Sequence, residues 1–506
     1  MDEVRSARLD PALKAVAAKL FDDVRQATFD GVGVTRASYG DGENRAMAII
    51  EGFAQAEGLA CERDAVDNRI IRVPGEPAGS PVLIGSHLDS VPQGGNFDGL
   101  AGVVAGLLVL LHYSRRGQVP PRPIHVLALR GEESAWYGKA YMGSLSLTGQ
   151  LTTVDLDLKQ RETGRTMRED MQALGIDTAR IEAGERLIDP AQVAAYLELH
   201  IEQGPTMVAR KWAVAPVTGI RGNVRHNRIL CKGETGHSGA VPRWLRKDAV
   251  LAVAELMTRL DEHWRVLQQM GMDMVMTCGM VSTDPKSHAV SVIPGEVAFS
   301  FEVRSQDNDV LERFHNLMME ECDRIGRSRG VEFQFDRRLY TAPATMDPSW
   351  VERLSSACEA HAIDMEPMPS GAGHDAAAST AEPAPALART VSLPEAGRAG
   401  PQEPGEAVNA GAIPADHRTQ DRAVGSGRLV GETWHFVDLL RFLVGTPLKL
   451  GTLRRLAAYG WPGFSKMHVW RQDKGQAVHT GGASPIAMEE LSEVGKAVAG
   501  VEKGLG

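Results

Sequence analysis

Apolar positions recur along this chain with two spacings, and each predicts a different element. Residues 8–28 and 42–59 carry Leu, Ala, Val and Phe at helical intervals, the second stretch ending near Gly58. Cys61–Val73 reads as a pair of strands turning at Asp67-Asn68. The short apolar run Val82-Leu83-Ile84 predicts a buried strand that breaks at Gly85-Ser86. If strand geometry persists there, His87 and Asp89 share a face. After Gly94, Gly95 and Asp98, the stretch from Leu100 to Leu111 predicts a helix packed closely on a sheet. Pro120 to Pro123 break the chain, Ile124 to Leu129 predicts a second buried strand, and residues 138–190 read as helical with turns at Gly164 and Gly175. AAYLELHIEQGP (194–205) predicts a third strand ending in His200, Glu202 and Gln203. Strands alternating with helices predict an α/β domain with a mainly parallel sheet.

The texture changes near Val214. A Gly-rich alternating stretch precedes a long helix, Leu245–Met270; two strand-like runs, MVMTCGMVS and EVAFSFEVRS, follow. A helix from Asn308 to Ile325, stopping at Gly326, leads to VEFQFDRR. The order βαββαβ predicts a smaller α+β module over 214–335, inserted into the first domain (1–213). The first domain resumes over 336–378 with a helix at 348–361 and SGAGHDAAA. Residues 379–407, rich in Ala, Pro, Gly and Glu, read as linker, and 408–506 as an irregular tail with a short amphipathic helix at 431–445.

Composition narrows the class without choosing a chemistry. The chain has 506 residues, 43% hydrophobic and 24% charged, with a net charge of −10 and no Lys/Arg block, which argues against a nucleic-acid partner. The N-terminus lacks the apolar core of a secretory signal, and no window of about 18 apolar residues exists, so no membrane association is expected. The five cysteines are scattered without a CxxC pair. That argues against a disulfide framework or a Cys-based zinc site and fits a cytoplasmic protein.

The chemistry lies at the strand ends. His87, Asp98, Glu133, His200 and His374 are the metal-competent candidates, with Asp89 and Glu132 adjacent. Singly, each has an ordinary reading as a satisfied polar group or a turn cap; their recurrence after successive strands does not. Three imidazoles and two carboxylates suit Zn, Mn, Co or Ni ions better than Ca or Mg. Five ligands suit two divalent ions per subunit, about 3.5–4 Å apart and sharing one carboxylate. Asp98, after the Gly turn, is the natural bridge. The positive charge left on the pair would acidify a water and stabilise an oxyanion. Asp89 would orient His87, and Glu132 would carry a proton from water to the leaving nitrogen.

GSHLDSVPQGGNFDGLAGV, RGEES, ELHIEQGP and SGAGHDAAA together resemble the signature segments of the M20-type dinuclear metal amidohydrolases. The resemblance covers residues 8–378 and is to the hydantoinase/carbamoylase branch: N-carbamoyl-L-amino-acid hydrolases, β-ureidopropionases and allantoate amidohydrolases. It implies the five metal ligands above, Glu132 as base, and the inserted module as a lid used for homodimerisation and substrate capture. His200 is diagnostic, because peptidase relatives usually carry a carboxylate there. His237 in GETGHSGAVP resembles the residue that polarises the scissile carbonyl, Arg304 in FEVRS the partner of the substrate carboxylate, and Gln203 a substrate contact. The sequence departs from the family at Ser291, where a substrate-binding Asn is common, and at RGEESAWYG.

The implied activity is hydrolysis of a linear amide or ureido C–N bond in a small anionic substrate. An aminoacylase or dipeptidase of the same fold, or an inactive fusion product, are the alternatives. The family's further strand and closing helix are not evident after Ala378; instead the tail resembles the C-terminal part of Gfo/Idh/MocA-type oxidoreductases, with His435 and Asp438 in a matching motif. The nucleotide-binding half of that family is absent, so no dehydrogenase activity is expected.

Overall fold

Most of the anticipated N-terminal elements form where the hydrophobic spacing puts them. Helices α1 (Pro11–Thr28) and α2 (Asp41–Ala56) precede strands β1 (Ala60–Arg63), β2 (Arg69–Arg72) and β3 (Val82–His87). Helix α3 (Leu100–Ser114), β4 (Ile124–Leu129) and β5 (Ala195–Ile201) follow. The computed structural model describes residues 11–287 and 289–379, with strands at 388–393, 469–473 and 476–480. Contacts divide the described residues into two units: the first holds 11–216, 348–367 and the described strands beyond 387, and the second holds 217–347 and 368–379.

The first unit is built on a sheet in the order β1-β2-β4-β3-β5, continued by Ala388–Leu393. Strand β3 runs parallel to both β4 and β5, while β1 and β2 form the antiparallel edge. Helix α3 is apolar on every side, which is tolerable only when every side is covered. It is buried from Leu100 to Tyr113 and joins α1, α2, Val82, Ile84, Leu197 and Leu199 in one core.

Two expectations are corrected. Residues 138–190 form a series of short helices, such as Met142–Leu147 and Met167–Ala173. Their caps explain the fragmentation: Thr152 and Thr166 each close a capping box, and Asp177 accepts from Ala179 N, so new starts interrupt the run. Residues 379–407 are not linker throughout. Ala388–Leu393 lies beside β5 in parallel, Ala388 opposite Tyr196 and Leu393 opposite Ile201, and pairs antiparallel with Ala215 and Pro216 on its other side. ARTVSL lacks the apolar alternation of a half-buried strand, which hid it. The oxidoreductase-like reading of the tail, including His435 and Asp438, lies outside the described residues.

In the second unit, β6 (Gly222–Lys232) pairs antiparallel with β7 (Glu296–Ser305), which carries Val281–Thr283 and Val275–Thr277 beyond it. Glu332–Phe335 and Leu339–Thr341 pair with the other edge of β6. Helices α4 (Ala249–Gln269) and α5 (Asn308–Arg329) share a core with the sheet residues Val224, Ile229, Phe299 and Phe301. Helix α5 passes through Gly326 and stops at Gly330, whose φ of +68° supplies the left-handed cap that glycine adopts at least cost. Between β6 and α5, His226 Nε2 and His315 Nε2 stand 3.1 Å apart, and His226 Nδ1 is 3.0 Å from Asp336 Oδ1.

Two outcomes follow from this packing. Proline at a strand interior removes a ladder donor, so Val391→Pro should lower the melting temperature of the full chain; melting indistinguishable from wild type would mean that 388–393 is not sheet. Burial, helped by Arg338 and His226, pushes His315 down to about 4 from 6.5. Between those values the folded protein binds fewer protons at His315 than the unfolded chain, so stability is lost as pH falls through that window. The drop in melting temperature from about pH 7 to about pH 5 should be smaller in His315→Gln than in wild type; equal drops would exclude His315 as its source.

Candidate metal centre

Three strand ends of the first unit deliver the site. His87 is the last residue of β3, and the ladder continues one step further as Leu88 N donates to Leu129 O. The strand stops there, yet Asp89 still meets His87, its Oδ1 lying 3.2 Å from His87 Nδ1. The chain then loops to Asp98 and enters α3 through Gly99, with φ +62°. A Cβ at residue 99 would sit 2.3 Å from His87 O and 2.6 Å from its ring, so only glycine lets the loop close on the histidine.

Asp89 is fully buried and joins the first strand end to the second. Its Oδ1 accepts from Glu132 N and its Oδ2 from Glu133 N, each at 3.0 Å, and Ser38 Oγ donates to Oδ2 at 2.6 Å. Burial alone would raise its pKa, but His87, Ser38 and the Glu133 N–H outweigh burial and hold it below the ordinary range. From the third strand end, His200 Nε2 lies 3.0 Å from Asp98 Oδ1 and 3.3 Å from His87 Nε2. His87 Nε2 is 3.6 Å from Asp98 Oδ1 and 3.9 Å from Glu132 Oε2. Two sets of donor atoms therefore converge within 4.8 Å: His87, Asp98 and His200, and His87, Glu132 and Glu133.

These residues fit a divalent ion. His200 Nδ1 lies 2.9 Å from Ile201 O, and His87 Nδ1 faces Asp89, so each ring places its proton on Nδ1 and turns a lone pair inward from Nε2. Asp98 Oδ1 is buried beside both and makes no hydrogen bond of sound geometry among the described residues. Lone pairs facing one another at such distances require a positive charge between them. The pKa directions express the same demand. Burial lowers His87 and His200, but neighbouring Asp89 and Asp98 outweigh it and raise both. Burial and the Asp98 charge push Glu133 up to about 8.

Gln203, expected as a substrate contact, donates from Nε2 to Asp98 Oδ2 at 2.8 Å, and its φ of +52° is unusual for a side-chain-bearing residue. His374 belongs to the second unit, where its Nε2 lies 2.6 Å from Ser370 Oγ; the converging sets contain first-unit residues only. Also in the second unit, the pairing of Val292–Ile293 with Gly236–His237 brings Ser291 beside the His237 segment, with Ser238 N donating to Ser291 O. Arg304 bonds Glu302 and Gly371 O.

Sequence reasoning passed over the stretch between α1 and α2. Arg36, buried there, donates to Leu88 O at 2.6 Å, Asp98 O at 3.2 Å and Asn96 Oδ1 at 3.4 Å. Burial lowers its pKa to about 10 against the raising pull of Asp98, Asp89 and Glu133. Glu43 accepts from Gly131 N and from Arg130, steadying the turn before Glu132. For Arg36 the available signal was a polar, chemically capable residue in a loop without apolar periodicity; Glu43 sits in the first turn of α2.

The profile of peptidase family M20/M25/M40 matches residues 83–422. The chain is 33% identical over 344 residues to the N-carbamoyl-L-amino acid amidohydrolase of Geobacillus stearothermophilus, covering 68% of this chain and 82% of that protein. It is 32% identical over 359 residues to the allantoate amidohydrolase of Bacillus subtilis strain 168, covering 69% and 82%. A crystal structure of a hydantoinase/carbamoylase family amidase from Burkholderia ambifaria superposes with a TM-score of 0.71 at 26% identity, over 88% of this chain and 98% of that one. With the strand-end donors and a profile match running past the unexpected strand at 388–393, the chain belongs to peptidase family M20/M25/M40.

Proposed function

We propose that this protein hydrolyses the ureido or linear amide C–N bond of a small anionic substrate, of the N-carbamoyl-L-amino acid, ureidopropionate or allantoate type. It is a hydrolase of carbon–nitrogen bonds other than peptide bonds, as its carbamoylase and allantoate amidohydrolase relatives indicate. The observation that carries the reading is the meeting of His87, Asp98 and His200 beside Glu132, with histidine in the third position.

His87, Asp98, His200, Glu133 and His374 would hold two divalent ions, drawn from Zn, Mn, Co and Ni, with Asp98 shared. When bound, the ions supply the positive charge that polarises the scissile carbonyl and acidifies water. Glu132 takes the proton from the attacking water and delivers it to the leaving nitrogen. For a carbamoyl substrate, the amine and carbamic acid result, and the latter breaks down to carbon dioxide and ammonia. Asp89 fixes the His87 tautomer and holds Glu132 and Glu133 by their backbone amides. Gln203 and Ser291 are proposed to contact the substrate, Arg304 to pair with its carboxylate through a bidentate fork, and His237 to polarise the carbonyl.

The second unit is proposed to mediate homodimerisation. Its support is an open sheet edge at Val281–Thr283 and exposed Trp244, Met280 and Val281, the tryptophan 81% exposed. No described helix is long and apolar enough to cross a membrane. A cytoplasmic location remains part of this proposal.

Chelator should abolish turnover of N-carbamoyl-amino acids, ureidopropionate and allantoate, and Mn, Co, Ni or Zn should restore it. Glu132→Gln should retain bound metal and lose about 10²–10⁴-fold in kcat; wild-type turnover in that variant would remove the base assignment. Higher kcat/KM on N-acetyl-amino acids or dipeptides than on carbamoyl substrates would favour the aminoacylase or dipeptidase alternative. Light scattering should give twice the chain mass, falling toward the monomer in Trp244→Glu with Val281→Glu; a monomeric wild type would end the dimer proposal.

A further inference from the structure

We infer that Arg36 is a positioning residue that fixes the spacing between the two ends of the 88–98 loop and thereby sets the affinity of the centre for divalent ions. The inference rests on reading that centre as a metal site.

Arg36 is fully buried, and placing a guanidinium there is costly unless its donors are satisfied. Among the described residues, its side-chain hydrogen bonds go to carbonyl oxygens and not to a carboxylate. Its Nε donates to Leu88 O, the residue after His87, and its NH2 group to Asp98 O, the backbone of the proposed shared ligand. Its third contact is Asn96 Oδ1, inside the same loop. One rigid fork thus spans the entry and the exit of the loop that separates two ligands. Its own backbone is pinned to that loop too: Arg36 N donates to Ser90 Oγ at 3.0 Å, and Ser90 N donates to Arg36 O at 2.9 Å. Ser38, two residues on, adds the bond to Asp89.

Charge and geometry make opposite demands here. A fixed cation beside an ion site repels the ion, so removing the charge alone would tighten metal binding. A planar fork that sets the loop's span would favour binding, and its loss would weaken it. Lysine separates the two, because it keeps the charge and cannot hold both carbonyls in fork geometry.

The test is calorimetric titration of the chelator-stripped full chain with Mn²⁺, for wild type, Arg36→Lys and Arg36→Met, below the melting temperature of each. Both variants should bind about 10–100-fold more weakly. Wild-type affinity in both, or tighter binding by Arg36→Met with Arg36→Lys unchanged, overturns the inference. Arg36→Lys is the milder variant and decides the matter if Arg36→Met does not fold. Should neither fold, hydrogen exchange on stripped wild type decides. Amides at 88, 90 and 94 should exchange slowly without metal; fast exchange that slows only on adding Mn²⁺ means that the ions, and not Arg36, order the loop. A wild type that binds neither Mn²⁺ nor Zn²⁺, Co²⁺ or Ni²⁺ removes the reading of the centre and this inference with it. Binding by wild type with equal binding by the variants removes this inference alone.

Discussion

A single buried carboxylate ties the centre together. Asp89 receives the backbone amides of Glu132 and Glu133, the hydroxyl of Ser38 and the Nδ1 side of His87. Those groups come from three separate stretches of chain, and only His87, the last residue of β3, belongs to a strand at the point of contact. Without that carboxylate, two amides and a hydroxyl would be left in a dry interior with no acceptor, each at a cost of about 1–3 kcal/mol. The arrangement of the candidate ligands is therefore a by-product of satisfying backbone donors, and it is held without an ion.

The surrounding charge is arranged to the same end. Asp89, Asp98, Glu132 and Glu133 crowd one end of the sheet, and among the described residues Arg36 is the buried cation set among them. Such a field raises the pKa of His87 and His200 and, together with burial, that of Glu133, and it favours a cation among them. Metal uptake in such a centre displaces protons, so affinity and acidity are linked through the same few side chains.

Much of this was legible in the sequence, and the parts that were not share a cause. Strands β3, β4 and β5 announced themselves because buried parallel strands are continuous apolar runs, and α3 because it is apolar all round. His87 and His200 stood out because they end those runs, and Glu133 and Asp98 because they come in the loops that follow. Arg36, Ser38 and Glu43 did not, because their role depends on tertiary contacts 51 to 88 residues away, such as those from Ser38 to Asp89 and from Glu43 to Gly131. The strand at 388–393 was missed for a related reason: its alternation is weak, and its partner β5 lies far upstream. Local pattern reports what a segment buries; it says little about which distant segment it serves.

That distant pairing has a consequence for biosynthesis. The sheet of the inserted unit is drawn from nearby stretches, β6 and β7 through Leu339–Thr341. The sheet bearing the candidate ligands joins Tyr196 to Ala388. On a ribosome, the inserted unit's strands have all emerged while the ladder beside β5 still lacks its neighbour. The nascent chain must carry β5 with an open edge through synthesis of nearly two hundred further residues, from Ile201 to Leu393, a window in which β5 is exposed to mispairing and chaperone capture.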